Sequence, residues 1–165
     1  MLDPESGDRI LDIGAGKGEK AAKVLRTSQG IEVYAVDPNE RRIAEAKRDH
    51  PDVKSFVAGA EKLPFDEAYF DKAYSTMALH HFNNLDLAFA ETTRVLKHGG
   101  TYVVLEVEPG SMMGRLFRFF GRIMGEGMNI MTETQCLARL RTAGGLQVVT
   151  STSLGPRYLV LLRRR

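Results

Sequence analysis

Residues 9–18 read Arg-Ile-Leu-Asp-Ile-Gly-Ala-Gly-Lys-Gly, and this stretch decides the fold. The run Arg9–Ile13 predicts a short strand, and the glycines behind it predict a tight turn. A helix is predicted next, over Glu19–Arg26. Asp12 places an acid at the end of the strand, just before the loop. Three glycines alternate in that loop, namely Gly14, Gly16 and Gly18.

Strands and helices alternate along the rest of the chain. The further predicted strands are Ile31–Val36, Lys54–Val57, Phe70–Thr76, Thr101–Val107, Leu146–Ser153 and Tyr158–Leu162. The further predicted helices are Asn39–Asp49, Asp86–Leu96 and Thr132–Ala143. Strands that are separated by helices imply right-handed crossovers and a parallel sheet. The last two strands flank the turn Gly155-Pro156 and should form a hairpin, so one of them runs antiparallel to the others. The fold class is therefore α/β.

Composition favours one soluble domain over residues 1–165. Hydrophobic residues make up 43% of the chain and charged residues 27%, which argues against disorder. Cys136 is the single cysteine, which fits a reducing compartment, and the acidic start lacks the apolar stretch of a signal peptide. We therefore expect a cytoplasmic protein. The net charge is +2, and the last three arginines account for more than all of it, so nucleic-acid binding is not favoured.

The spacing of the glycine loop separates two classes of ligand. A dinucleotide fingerprint would need a third glycine at position 19, where this chain has Glu19. The carboxylate of Asp12 would repel a pyrophosphate and attract a cation. Asp37, at the end of the second strand, can accept hydrogen bonds from two ribose hydroxyls. The alternatives are a glycine turn without a ligand and an Asp37 that caps the helix after Pro38; the ribose and capping roles are compatible.

The pattern Asp-x-Gly-x-Gly-x-Gly resembles class I methyltransferases that depend on S-adenosylmethionine (SAM). Later motifs strengthen the likeness to the family that includes the ubiquinone and menaquinone C-methyltransferases. These motifs are Ala58–Phe65, Phe70-Asp71, Leu79–His81 and Arg94–Gly100. The resemblance implies a Rossmann-like seven-stranded sheet in the order 3-2-1-4-5-7-6, with helices on both faces and the last hairpin strand antiparallel. It implies SAM as the cofactor and S-adenosylhomocysteine as its product. SAM carries an ammonium and a sulfonium but no phosphate, which agrees with the acidic loop.

The resemblance also implies where SAM is held. The expected contacts are Asp12, Gly14, Ala15, Gly16, Gly18, Asp37, Pro38, Ala60, Glu61, Ser75 and Thr76. Relatives have an acid for the adenine amino group where this chain has Gly59. Either Glu61 replaces that acid or the amide of Ala60 recognises adenine alone. One lost hydrogen bond weakens binding by about 1 kcal/mol. Relatives also carry helices ahead of the first strand that close over the site, and we expect this cover to be absent.

Methyl transfer from SAM is an in-line displacement, so the protein mainly orients the acceptor and excludes water. A general base is needed only when the acceptor atom must lose a proton. The candidates are His80, His81, Glu106 and Glu108; the histidines are alternatively a pair that touches solvent. No metal-binding motif is present. Residues 75–78 lack the Asn/Asp-Pro-Pro-Tyr run of many amino-methylating nucleic-acid enzymes, which favours a small molecule as the acceptor.

Residues 111–131 hold five of the seven methionines and three phenylalanines. Arg115, Arg118 and Arg122 recur on one helical face. We interpret residues 108–131 as a lid-like insertion over a hydrophobic acceptor. The alternatives are a basic amphipathic helix on an anionic membrane, a homodimer interface and an ordinary core helix. Four glycines argue against one long helix and favour a mobile lid. These glycines are Gly114, Gly121, Gly125 and Gly127.

The sequence therefore predicts SAM-dependent methyl transfer to a small, apolar acceptor. Two alternatives stay open. One is a module that binds SAM but catalyses little or nothing. The other is an RNA or protein methyltransferase that needs a partner.

Overall fold

Seven strands in one sheet and five helices make up the computed structural model, which describes residues 2–123 and 130–165. The strands are β1 Arg9–Ile13, β2 Glu32–Asp37, β3 Lys54–Val57, β4 Phe70–Thr76, β5 Leu96–Val107, β6 Leu146–Leu154 and β7 Arg157–Arg164. The helices are α1 Glu19–Thr27, α2 Glu40–Asp49, α3 Leu85–Val95, α4 Met112–Ile123 and α5 Glu133–Thr142. A single 3₁₀ turn, Leu79–His81, follows β4.

The strand order is β3-β2-β1-β4-β5-β7-β6, which confirms the predicted topology. The pairs from β3 through β5 are parallel, whereas β7 runs antiparallel to both β5 and β6. Apolar side chains cover both faces of the sheet. Phe70, Phe89 and Tyr102 are buried on one face, and Ile10 and Val103 on the other. A strand that is buried on both faces has apolar residues at nearly every position, and the sequence shows such runs.

The start of β5 differs from the prediction. The helix α3 ends at Val95, and β5 begins at Leu96, five residues earlier than the predicted Thr101. Leu96 pairs with Phe70, and the register shifts before Lys72 pairs with Thr101. The pair Gly99-Gly100 therefore lies within the strand and accommodates that irregularity, instead of closing the preceding helix.

Helix α4 spans Met112–Ile123 and contains two of the four glycines, Gly114 and Gly121. Both glycines are buried. A Cβ atom on Gly114 would collide with the carbonyl oxygen of Glu108, so the glycine lets the helix approach the backbone after β5. The remaining predicted lid residues Met124, Gly125, Gly127 and Met128 lie outside the described residues. In the part of the chain that is described, no helix is long and apolar enough to cross a membrane.

Candidate functional site

A cleft of about 570 Å³ opens where β1, β2 and β4 end. Ligands of open α/β sheets bind at this carboxyl edge, where the winding reverses. Nine of the residues singled out in the sequence line the cleft. They are Gly14, Ala15, Gly16, Asp37, Pro38, Ala60, Glu61, Thr76 and His81.

The glycine loop is fastened to the end of β2. The amides of Gly14 and Ala15 both donate to the carbonyl oxygen of Val36, at 2.9 Å each. Gly14 has φ +81°, and a Cβ atom there would lie 2.5 Å from the Cβ of Ala78. Gly16 has φ +58° and no atom within 4 Å of such a position. Gly14 is thus required by packing and conformation, whereas Gly16 keeps open the space above the loop.

Asp37 joins the glycine loop to the start of α2. Its Oδ2 accepts from the Gly16 amide and its Oδ1 accepts from the Asn39 amide, both at 2.9 Å. The N-cap of α2 is Asn39, whose side chain accepts from the amide of Arg42. The alternative in which Asp37 caps this helix is therefore wrong, because Asp37 still belongs to β2 and Pro38 separates it from the cap. The Asp37 carboxylate stays at the rim of the cleft.

Asp12 lies directly beneath the loop. Its side chain is buried, and its Oδ2 has no hydrogen-bond partner among the described residues. Burial raises the pKa of Asp12 to about 7, and the nearby groups Tyr74 and Lys20 offset only part of this rise. The Tyr74 hydroxyl likewise has no partner within hydrogen-bond distance among the described residues, although its proximity lowers the pKa of Asp12 in part. Burying a carboxylate is costly, and a cationic ligand bound nearby would offset that cost. This carboxylate fits the positively charged part of SAM and does not fit a phosphate.

The segment after β3 contributes Ala60 and Glu61. Glu61 Oε1 accepts from the amides of Asn83 and Asn84, at 2.7 and 3.1 Å. Its Oε2 lies 3.0 Å from the position that a Cβ on Gly59 would occupy. The carboxylate of Glu61 therefore stands beside the place where an acidic side chain at position 59 would begin.

Five expected site residues do not line the cleft, namely the buried Asp12 described above and Ser75, Gly18, His80 and Glu106. Ser75 is fully buried, and its Oγ accepts from the hydroxyl of Tyr102 at 2.8 Å. Successive side chains of a strand point to opposite faces, so Thr76 reaches the cleft and Ser75 does not. Gly18 is the N-cap of α1, and a Cβ atom on it would lie 3.1 Å from the Cβ of Ala46. The other two, His80 and Glu106, form a pair behind the cleft.

In this pair, Nδ1 of His80 lies 3.0 Å from Oε2 of Glu106, and both side chains are buried. Glu106 Oε1 also accepts from the amide of Leu79 at 2.7 Å. The His80 ring faces Phe117 of α4, with 6.3 Å between the ring centroids. Glu106 thus orients the loop after β4, and of the two histidines only His81 borders the cleft. Glu108 accepts from the amide of Glu133 at the start of α5.

Several lining residues were not among the predicted SAM contacts or catalytic residues. They are Lys17, Glu19, Lys20, Asn39, Arg42, Ala58, Gly59, Met77, Ala78, Phe82 and Asn83. Lys17 pairs with Glu45 at 2.7 Å, and Lys20 Nζ lies 3.4 Å from the carbonyl oxygen of Thr76. Met77 has φ +56°, an uncommon conformation for a residue with a side chain. Such strain concentrates at functional sites.

Comparison with known proteins gives the same assignment. The family model described as "Methyltransferase domain" matches residues 11–104. The ubiquinone/menaquinone biosynthesis C-methyltransferase of Bordetella parapertussis is 38% identical over 105 residues. That alignment covers 61% of this chain and 41% of the relative, so the chain spans less than half of the relative's length.

Two solved structures share the fold. One is a methyltransferase in complex with the Haloferax volcanii Trm112 methyltransferase activator, with a TM-score of 0.85 and 20% identity over 99% of this chain and 85% of the other. The second is geranyl diphosphate C-methyltransferase from Streptomyces coelicolor, in complex with Mg²⁺, geranyl diphosphate and S-adenosyl-L-homocysteine. Its TM-score is 0.82, with 19% identity over 99% of this chain and 76% of that one. Since the family match covers more than half of a chain that has this fold, the chain belongs to the methyltransferase-domain family, the class I enzymes whose methyl donor is SAM.

Proposed function

We propose that this chain transfers a methyl group from SAM to a small, apolar acceptor. The observation that carries the proposal is the buried carboxylate of Asp12 beneath the glycine loop. The same cleft edge brings the carboxylate of Asp37 against the amide of Gly16. A buried acid below and an acid at the rim suit a ligand with a cationic end and a ribose.

Different residues of the cleft bind different parts of the ligand. Asp12 takes the ammonium group, and Asp37 accepts hydrogen bonds from the ribose hydroxyls. The open space above Gly16 lets the backbone approach the ligand closely. When bound, SAM supplies a methyl group on a positively charged sulfur. The protein's part is then to align the acceptor with that methyl group and to exclude water.

The methyl acceptor binds against the wall of the cleft that is formed by residues after β4. Met77 and Phe82 give this wall apolar surface, and His81 supplies a titratable ring. His81 serves as the base where the acceptor atom carries a proton. The buried pair of His80 and Glu106 positions this loop and does not contact the acceptor. The Bordetella relative is named as a C-methyltransferase of ubiquinone/menaquinone biosynthesis, which favours an acceptor with an apolar body.

Calorimetric titration with SAM and with S-adenosylhomocysteine tests the cofactor assignment. Both ligands should bind, and Asp37→Ala should weaken SAM binding at least tenfold, because a hydrogen bond to a charged group contributes about 1.5–3 kcal/mol. Asp52→Ala is the matched control, since it removes an exposed acid in the turn before β3. Binding of neither ligand at millimolar concentration would overturn the proposal. Equal affinity of Asp37→Ala and the parent would overturn the ribose role.

Transfer itself is tested with SAM that carries a labelled methyl group. A reduced demethylmenaquinone and geranyl diphosphate are the probes, and label in the extracted product together with S-adenosylhomocysteine is the readout. Tight SAM binding without transfer to either probe would favour the second candidate function, a SAM-binding module. The burial of His80 and Glu106, with the ring of Phe117 facing that of His80, supports that candidate. Transfer that appears only after an activator protein is added would favour a methyltransferase with a required partner.

A further inference from the structure

Helix α4 presents its apolar face to solvent. Among the described residues, five of the ten exposed large hydrophobic side chains lie on this one helix. They are Met112, Leu116, Phe119, Phe120 and Ile123. Spacings of three, four and seven place them on a single stripe. Met112 is 88% exposed and Ile123 is 66% exposed, so the described residues leave both ends of the stripe largely uncovered.

The opposite side of α4 holds the helix on the protein. Gly114 and Gly121 are buried and lie seven residues apart, which puts them on the same face. Phe117 reaches inward to the ring of His80. Surface helices of globular proteins normally bury their apolar stripe. Here the glycines make the contact with the body, and the apolar stripe is turned away from it.

The charges of α4 are all of one sign. The helix carries Arg115, Arg118 and Arg122 and contains no acidic residue. All three arginines are exposed, and one guanidinium nitrogen of Arg118 donates to the carbonyl oxygen of Pro109. The spacing of three and four residues places them together along one flank of the stripe. The exposed surface of α4 therefore combines a row of apolar side chains with a row of cations.

The combination of an apolar row and a cationic row favours one kind of binding partner over another. A second copy of the chain would bring a second row of arginines to the same interface, since paired copies use the same patch, and α4 has no carboxylate to neutralise them. An anionic membrane satisfies both rows, because the apolar side chains enter the acyl boundary and the arginines meet lipid phosphates. We propose that α4 is a docking surface for anionic membranes. The inference concerns this surface alone and does not rest on the proposed methyl transfer.

The chain contains no tryptophan, so one introduced indole reports on the stripe without background. Phe119→Trp places it on the exposed stripe, and Leu87→Trp places it on α3, where Leu87 is also exposed. The probes are vesicles of phosphatidylcholine with about one third phosphatidylglycerol, and vesicles of phosphatidylcholine alone. With anionic vesicles, emission of Phe119→Trp should shift to shorter wavelength and be quenched by brominated acyl chains. Emission of Leu87→Trp should not change.

Co-sedimentation with the same vesicles tests the charges. Replacing Arg115, Arg118 and Arg122 together by Gln should weaken binding roughly 100-fold, about fivefold for each cation. The matched control replaces the exposed cations Lys23, Arg26 and Lys47 by Gln, which changes the net charge equally but should leave binding within about threefold. Circular dichroism confirms that both variants fold.

Three results would overturn the proposal. The first is emission of Phe119→Trp that does not respond to vesicles. The second is equal binding to neutral and anionic vesicles. The third is short-wavelength emission of Phe119→Trp without vesicles together with a dimer in analytical ultracentrifugation, which assigns the stripe to a second copy of the chain.

Discussion

Glu106 and His80 face each other inside the protein, with 3.0 Å between Oε2 and Nδ1. The same carboxylate accepts from the amide of Leu79. Glu106→Ala should therefore leave two buried groups without a partner and lower the free energy of unfolding by about 2–6 kcal/mol, at about 1–3 kcal/mol for each. Glu106→Gln keeps one acceptor and should lose less than half of that. Urea unfolding measures both values. An alanine variant as stable as the parent would contradict the role of Glu106 in holding the loop.

Asp12 should make both stability and ligand affinity depend on pH. Burial raises the pKa of Asp12 from 3.8 to about 7 in the folded protein. Between these values the folded state keeps a proton that the unfolded chain has lost. The stability contribution therefore falls as pH rises from about 4 to 7, by roughly 4 kcal/mol in all, and is constant above that range. Asp12→Asn should remove this slope, as measured by urea unfolding at several pH values.

The affinity for SAM should depend on pH in the opposite direction to stability, again because of Asp12. A cationic ammonium group binds the ionised carboxylate, so SAM affinity should rise as pH increases through about 7. Calorimetry in buffers of different ionisation enthalpy should then detect proton release on binding at pH 6. In Asp12→Asn both the pH dependence and the proton release should vanish. SAM affinity that is flat from pH 6 to pH 8 in the parent would show that Asp12 does not meet the ammonium.

The sequence predicted much of this architecture because glycines and prolines mark its boundaries. β1, β3 and β4 were located to the residue, and the strand order followed from the resemblance and the terminal hairpin. The early start of β5 was missed, because Gly99-Gly100 is typical of a helix end and here lies in a strand. Sequence alternation could not decide between Ser75 and Thr76 at the cleft, since neither is apolar. The positive φ of Met77 has no signal in its residue type.

The sequence also could not predict which face of α4 is exposed. An apolar stripe and a glycine face are both visible in residues 112–123, and either could pack on the sheet. The choice depends on the close approach of Gly114 to the backbone of Glu108, which is a tertiary contact. A pattern of period 3.6 shows that a helix has faces, and only the contacts show which of them is buried.

The two loop glycines should respond differently to alanine. Gly14→Ala places a Cβ 2.5 Å from Ala78 at a positive φ, so it combines strain with a clash. We expect a loss of at least about 2 kcal/mol of stability. Gly16→Ala meets no atom within 4 Å and should cost only about 1 kcal/mol of backbone strain. It should nevertheless weaken SAM binding about tenfold, because its methyl group fills space over the loop. Thermal unfolding and calorimetry separate the two effects.

Glu61 should recognise the adenine amino group in place of an acid at position 59. Its Oε2 lies 3.0 Å from the position of a Cβ on Gly59, and its Oε1 accepts from the amides of Asn83 and Asn84. Glu61→Gln should weaken S-adenosylhomocysteine binding about fivefold, the value of one hydrogen bond. S-inosylhomocysteine has a carbonyl in place of the amino group, so the parent should bind it poorly and Glu61→Gln should bind it better. If neither ligand distinguishes the two proteins, adenine is recognised without Glu61.

Gly114→Ala should displace α4 from the backbone after β5. The added Cβ would collide with the carbonyl oxygen of Glu108 and lie 2.7 Å from the Cα of Pro109. Alanine favours a helix by about 1 kcal/mol over glycine, but overpacking costs about 1–3 kcal/mol, so the net effect should be destabilising. His80 should then lose its cover by Phe117 and react with diethyl pyrocarbonate, as located by mass spectrometry. Gly110→Ala, where a Cβ meets no atom within 4 Å, should leave His80 protected. Protection of His80 in both variants would mean that α4 does not cover it.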